Sequence, residues 1–196
     1  MSSDWSSDVC SSDLGIICAD LSLNFPDFRA GERTFQTLAQ VAGRAGRGKM
    51  PGKVILQSYN PNHFSILSAR DQDFERFYDR EITFRQALNY PPFSRLVQLG
   101  ISGKNKHTTK NFSRDLGVFL QSIKQSDPAF EKLEILGPVE APLVRIAERF
   151  RWQILLKSSE INPLQRFVSK LIHGKKGWLS NRQMRVVVDV DPFDMM

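Results

Sequence analysis

Apolar residues along this chain switch between two periods, near 3.6 and near 2, and the switches mark out its elements. Gly15-Ile16-Ile17-Cys18-Ala19 is a continuous apolar run that reads as a buried strand. A proline-containing loop, NFPDFR, follows it. Phe35, Leu38, Val41 and Ala42 then recur at helical spacing among good helix formers. Pro51-Gly52 makes a turn, and Lys53-Val54-Ile55-Leu56-Gln57 reads as a second buried strand. Residues 15–58 therefore predict a βαβ unit with parallel strands. From 62 to 88, Phe64, Leu67, Ser68, Phe74, Phe77, Tyr78, Phe84 and Leu88 keep the helical period. That predicts one helical stretch, stopped at Asn89-Tyr90-Pro91-Pro92 because the residue before a proline avoids the helical region.

A second module begins after Phe93. Val97, Leu99 and Ile101 alternate on one face of a strand, and Phe112, Leu116, Phe119, Leu120 and Ile123 line a helix. Leu133–Leu136 predicts a short strand broken by Gly137-Pro138. Phe150, Trp152 and Ile154 alternate with Arg149, Arg151 and Gln153 on a third strand. Asn162 and Pro163 open a helix striped by Leu164, Phe167, Val168, Leu171 and Ile172, which Gly174 ends. Val186, Val188 and Val190 mark a fourth strand. The order βαββαβ is that of a split-βαβ, ferredoxin-like sandwich.

Composition adds three things. The head, MSSDWSSDVCSSDL, repeats Ser-Ser-Asp three times with no hydrophobic period, so residues 1–14 are expected to be disordered. They abut what reads as an interior strand. We expect them to be an artefact of cloning, assembly or translation, with the true upstream portion missing. Net charge is +6, unevenly spread: residues 1–93 hold 10 Lys and Arg against 11 Asp and Glu, and residues 94–196 hold 17 against 10. A basic half points to a polyanion partner or to a solvated lysine-rich surface. No apolar run approaches a membrane span, and Cys10 and Cys18 lack disulfide-framework or zinc spacing, so a reduced cytoplasmic protein is expected. His63, His107 and His173 share no metal-like spacing; surface or capping roles suit them, and turn chemistry suits Asp189 and Asp191.

The stretch GRAGRGK, 43–49, fits G-x-x-x-x-G-K, but Met50 stands where a P-loop needs a hydroxyl for Mg²⁺. The order here is helix, glycine loop, strand, the reverse of a P-loop, which follows a strand and opens a helix. Another pattern fits better. Gln40-Val41-Ala42-Gly43-Arg44-Ala45-Gly46-Arg47 resembles Q-x-x-G-R-x-G-R, motif VI of superfamily 2 helicases. Five fixed residues at roughly 5% each make a chance occurrence about one in ten thousand. Two arginines at a helix end, on a loop that glycine lets pass close to a ligand, suit the spread charge of a transferring phosphoryl group.

The resemblance widens beyond that motif. ADLSLNFPDFRAGERTFQTLAQVAGRAGRG, VILQSYNP, ALNYPPFSRL, RFRWQILLK and VDVDP together resemble the primosomal protein N′ (PriA) family of replication-restart helicases, from Gly15 to the C-terminus. The resemblance implies a 3′→5′ DNA helicase that recognises stalled forks, hydrolyses ATP with Mg²⁺, and initiates primosome assembly with help from single-stranded-DNA-binding protein. It makes 15–60 the C-terminal part of the second RecA-like lobe, 61–93 a helical connector and 94–196 a basic α/β domain. It puts Gln40, Gly43, Arg44 and Arg47 at the ATP, with Arg47 as the finger and Arg44 as a γ-phosphate or coupling arginine. Arg29 and Arg33 either couple this site to DNA or form salt bridges with Asp27 or Glu32. The sequence departs from the family in lacking a phosphate-cradling lysine loop, an acidic Mg²⁺ motif and the zinc-binding cysteines. Alone it is expected not to hydrolyse ATP, which leaves a non-enzymatic DNA-binding module as the alternative.

Forked and single-stranded DNA is the partner expected of the basic module. Arg149 and Arg151 project outward from the third strand by alternation, Arg145 precedes them on a loop, and Lys175 and Lys176 follow the last helix beside Trp178. Trp152, alternating inward, is expected in the core.

Overall fold

β1 (Leu14–Ile16) and β2 (Val54–Leu56) run parallel, Leu14 against Val54 and Ile16 against Leu56, with α1 (Ala30–Ala45) crossing between them. This computed structural model describes residues 14–45, 53–174, 178, 183–193 and 195. The Ser-Ser-Asp repeats lie outside the described residues, while Leu14, grouped with them by composition, is the first residue of β1. The chain divides into two compact units, Met1–Phe84 and Arg85–Met196.

In the first unit α1 turns Phe35 and Leu38 into a core shared with Ile66, Ala69 and Phe77, and the Phe35 and Phe77 rings stack at 4.3 Å. The single helix expected over 62–88 is two, α2 (Phe64–Arg70) and α3 (Phe74–Ala87). Gln72 takes a positive φ of 52° between them. The Asp73 carboxylate then accepts from the Arg76 backbone N–H at 2.9 Å and starts the next helix. His63 begins α2 as its N-cap, with Nδ1 accepting from the Ser65 N–H at 3.3 Å.

The second unit runs β3 (Arg95–Gly103), α4 (Lys106–Gln125), β4 (Glu134–Ile146), β5 (Arg149–Ser158), α5 (Ile161–Gly174) and β6 (Met184–Val190). Its four strands lie in the order β4-β5-β3-β6, every neighbouring pair antiparallel. Val97, Leu99 and Ile101 of β3 and Trp152, Ile154 and Leu156 of β5 face a core closed by Leu116 and Leu120 of α4 and Phe167 and Leu171 of α5. Each such side chain contributes roughly 1.5–3 kcal/mol by burial. Trp152 is 4% exposed and belongs to this core, as alternation predicts.

β4 does not stop at Gly137-Pro138. The strand continues to Ile146 through a register shift between Leu136 and Val139. Gly137 holds φ at 101°, and a Cβ there would stand 2.8 Å from the Gln153 carbonyl oxygen, so only glycine carries the strand through this bend.

Lys157, buried on β5, donates from Nζ to Glu134 Oε2 and to the Leu88 carbonyl, each at 3.0 Å, and lies over the Tyr90 ring. The segment following α3 is thereby fastened to the sheet.

Candidate functional site

Both helices of the second unit pack on one face of its sheet, because the odd positions of β3 and the even positions of β5 are the apolar ones. The other face is made by the intervening residues, and register sets them in rows. Ser102 stands opposite Arg151 on β5 and Arg185 on β6; Gly100 stands between Gln153 and Val187; Gln98 stands between Leu155 and Asp189. Directly opposed residues put their Cβ atoms roughly 5 Å apart on one face.

Arg149 joins the first row from the end of β5. Its Nη2 donates to the Ser102 carbonyl at 2.8 Å and its Nε to Ser102 Oγ at 3.2 Å. Three guanidinium groups thus gather around Ser102: Arg149 by hydrogen bond, Arg151 and Arg185 by register. Arg185 is exposed, and Arg149 and Arg151 are half-buried. Ser102 Oγ accepts from Arg149, and its hydroxyl proton can be donated to an acceptor above the sheet. Arginines on β5 and β6, with the Ser102 hydroxyl on β3 between them, suit the oxygens of a phosphodiester backbone.

Arg145 and Trp178 lie away from this row. Arg145 is not on a loop but within β4, opposite Phe150, with its guanidinium carbon 5.3 Å from that ring. It shares the face of Phe150, which packs against the core, and not the face of Arg151. A register shift between Glu140 and Arg145 sets that facing, so residue counting alone misplaces it. Trp178 stacks on Phe119 at 5.7 Å and meets Phe112 edge-on at 5.0 Å, so it belongs to the helix side of the sheet. Lys175 and Lys176 lie outside the described residues.

Sequence reading missed Arg185, Gln98 and Ser102. The signal for Gln98 and Ser102 was present: if Val97, Leu99 and Ile101 face inward, the residues between them face out. Arg185 needed the pairing of β6 with β3, which joins residues more than 80 positions apart.

In the first unit, Gln40, Gly43 and Arg44 are all exposed on α1 at helical spacing, opposite Phe35 and Leu38. α1 continues through Arg44 to Ala45, so Arg44 stands on the last helical turn and not on a loop. Among the described residues nothing lies within 4 Å of a Cβ built at Gly43, which suits close approach to the helix backbone there. Arg47 lies outside the described residues. Arg33 forms the salt bridge that was one of its two alternatives, Nη1 to Asp27 Oδ2 at 3.0 Å, with the Asp27 carboxylate buried. Asp27 Oδ1 also accepts from the Arg29 backbone N–H at 2.9 Å. Among the described residues no three His, Cys, Asp or Glu side chains come together as a metal site. No helix among them is long and apolar enough to cross a membrane.

Comparison with known proteins agrees on one family. The family model described as Primosomal protein N C-terminal domain matches residues 86–193. The replication restart protein PriA of Bacillus subtilis is 34% identical over 183 residues, 93% of this chain and 22% of that protein. PriA of Synechocystis is 38% identical over 186 residues, 93% of this chain and 21% of its own. PriA of Borreliella burgdorferi is 38% identical over 161 residues, 80% and 23% of the two chains. The chain therefore spans about a fifth of the length of the curated relatives it matches. Among solved structures, the de novo designed protein Foldit4 aligns with 49% of this chain at 10% identity and a TM-score of 0.34, too low to bear on fold or function.

Proposed function

The chain belongs to the PriA family of replication restart proteins, and from that premise we propose that it is the DNA-contacting C-terminal portion of an ATP-dependent 3′→5′ helicase. In this reading Gly15–Asn60 is the end of the second RecA-like lobe, and the second unit is a split-βαβ, ferredoxin-like sandwich. The parallel βαβ of the first unit and the strand order of the second support these assignments.

The observation that carries the proposal is the cross-strand row Arg185–Ser102–Arg151, with Arg149 hydrogen-bonded to its centre. A polyanion laid across these arginines makes charge-assisted contacts with them and releases its own counterions. Phosphate contacts of this kind position a nucleic acid without reading its sequence. That suits a protein that must act at forks of any sequence.

On the first unit, Gln40, Gly43 and Arg44 supply one wall of the ATP site. Arg44 and Arg47 carry fixed positive charge to a γ-phosphoryl group held by the rest of the whole protein. Forked DNA, single-stranded-DNA-binding protein and the other primosome proteins are the partners this reading implies, in the bacterial cytoplasm.

The DNA surface is tested by titrating isotope-labelled chain with a single-stranded oligonucleotide. Backbone amide shifts should concentrate at Gly100, Ser102, Arg151 and Arg185. Shifts confined to α4 and α5 would move the interface to the opposite side of the sheet.

A further inference from the structure

Between the arginine row and the Gln98–Asp189 row, the open sheet face sinks into a depression of about 250 Å³. Its floor is Gly100, its cationic end is Ser102 with Arg151 and Arg185, and its other end is Gln98 with Asp189. Val187 forms one wall. The volume lies below the ~300–1,000 Å³ of sites for drug-sized ligands and suits a smaller planar group.

The two ends differ in what they accept. Phosphate is welcome beside Arg151 and Arg185 and is repelled by the Asp189 carboxylate. A carboxylate is an acceptor, and each of the four DNA bases offers at least one N–H on its Watson–Crick edge to such a group. Gln98 adds an acceptor oxygen, since its amide nitrogen is engaged with Gln153 Oε1 at 2.9 Å. From Ser102 to Gln98 is four residues of strand, roughly 13 Å. One nucleotide bridges that span from phosphate to base edge, with its side-chain partners reaching inward.

We propose that this depression seats a single unpaired nucleotide, phosphate on the arginine row and base over Gly100 with its edge at Gln98 and Asp189. The inference rests on the reading of this face as the DNA surface, and adds that the face selects single strands. In a duplex the base edges are already paired and stacked, so no base can settle on the sheet. Gly100 is what keeps the floor open. Among the described residues a Cβ there would meet only Val187 Cβ, at 4.0 Å, so a larger residue fills the depression without disturbing the strand.

The test compares an unmodified single-stranded oligonucleotide, one with abasic sites at its centre, and a duplex of equal length. The whole chain is used, as wild type, Gly100→Val and Arg151→Ala/Arg185→Ala. Wild type should bind the unmodified strand about tenfold more tightly than the abasic one, the size of one charge-assisted hydrogen bond. Gly100→Val should remove that difference, with Gly100→Ala, the smaller addition, in between. The arginine variant should weaken all three ligands alike. If the arginine variant weakens all three but wild type does not distinguish abasic from unmodified strand, the nucleotide seat is overturned and the DNA surface stands. If the arginine variant binds all three as wild type does, both are overturned.

Discussion

The Gln98 side-chain amide donates to Gln153 Oε1 at 2.9 Å across the centre of the open sheet face, joining β3 to β5. Gln98 is buried, at 8% exposure. The pair spends one donor and one acceptor on itself and leaves the Gln98 oxygen and the Gln153 nitrogen for a ligand. It holds both amides in one orientation beside Gly100. A double-mutant cycle with Gln98→Ala and Gln153→Ala should give a coupling of about 0.5–1.5 kcal/mol in chemical unfolding. Additive single effects would show that the bond holds nothing in place.

Trp152 alternates with arginines along β5 and lies on the far side of the sheet from them, with Ile154 and Leu156, as the alternation predicts. Trp152→Ala should cost roughly 3–5 kcal/mol of stability in the second unit, read as a shift in the denaturation midpoint. A stable variant that has lost only single-strand affinity would put Trp152 at the DNA instead.

How much of this was legible follows the range of the interactions involved. The inward and outward residues of β5 could be told apart because alternation along one strand is local. The continuation of β4 past Gly137-Pro138 could not, since local breaker signals there serve a bend within the strand. The split between α2 and α3 turns on Asp73, a capping residue inside an unbroken apolar period. Arg185 joins the site only through the pairing of β6 with β3, and no local pattern carries that information.

His63 caps α2 through an unprotonated ring nitrogen, and burial lowers its pKa from 6.5. The unfolded chain therefore takes up a proton at higher pH than the folded one. The cap's contribution is fully present above pH 6.5 and is lost as pH falls from there through the folded pKa. His63→Asn keeps a capping acceptor that does not titrate in this range. Thermal unfolding of the first unit should lose stability between neutral and mildly acid pH in the wild type and less in the variant. Identical pH profiles would remove the histidine from the account.

For ATP, the expectation concerns the complete protein. Arg47→Ala should lower DNA-stimulated hydrolysis by about 10³-fold or more while nucleotide binding largely survives, because a finger meets charge that develops in the transition state. Arg47→Lys should rescue poorly, since a point charge does not reproduce the guanidinium fork. Turnover at the wild-type rate in either variant would show that the Q-x-x-G-R-x-G-R motif has been misread.

The central claim is that nucleic-acid phosphates lie across Arg185, Ser102 and Arg151, and salt dependence tests it most directly. Binding of a single-stranded oligonucleotide should be measured across a range of salt concentrations for the wild type and for Arg151→Ala/Arg185→Ala. If each arginine neutralises one phosphate, the slope of log K against log salt should become shallower by roughly 1.4 in the double variant, about 0.7 per contact. The fall in affinity should be the same on every sequence tested. An unchanged slope would contradict the account and place the phosphates on another surface of the chain.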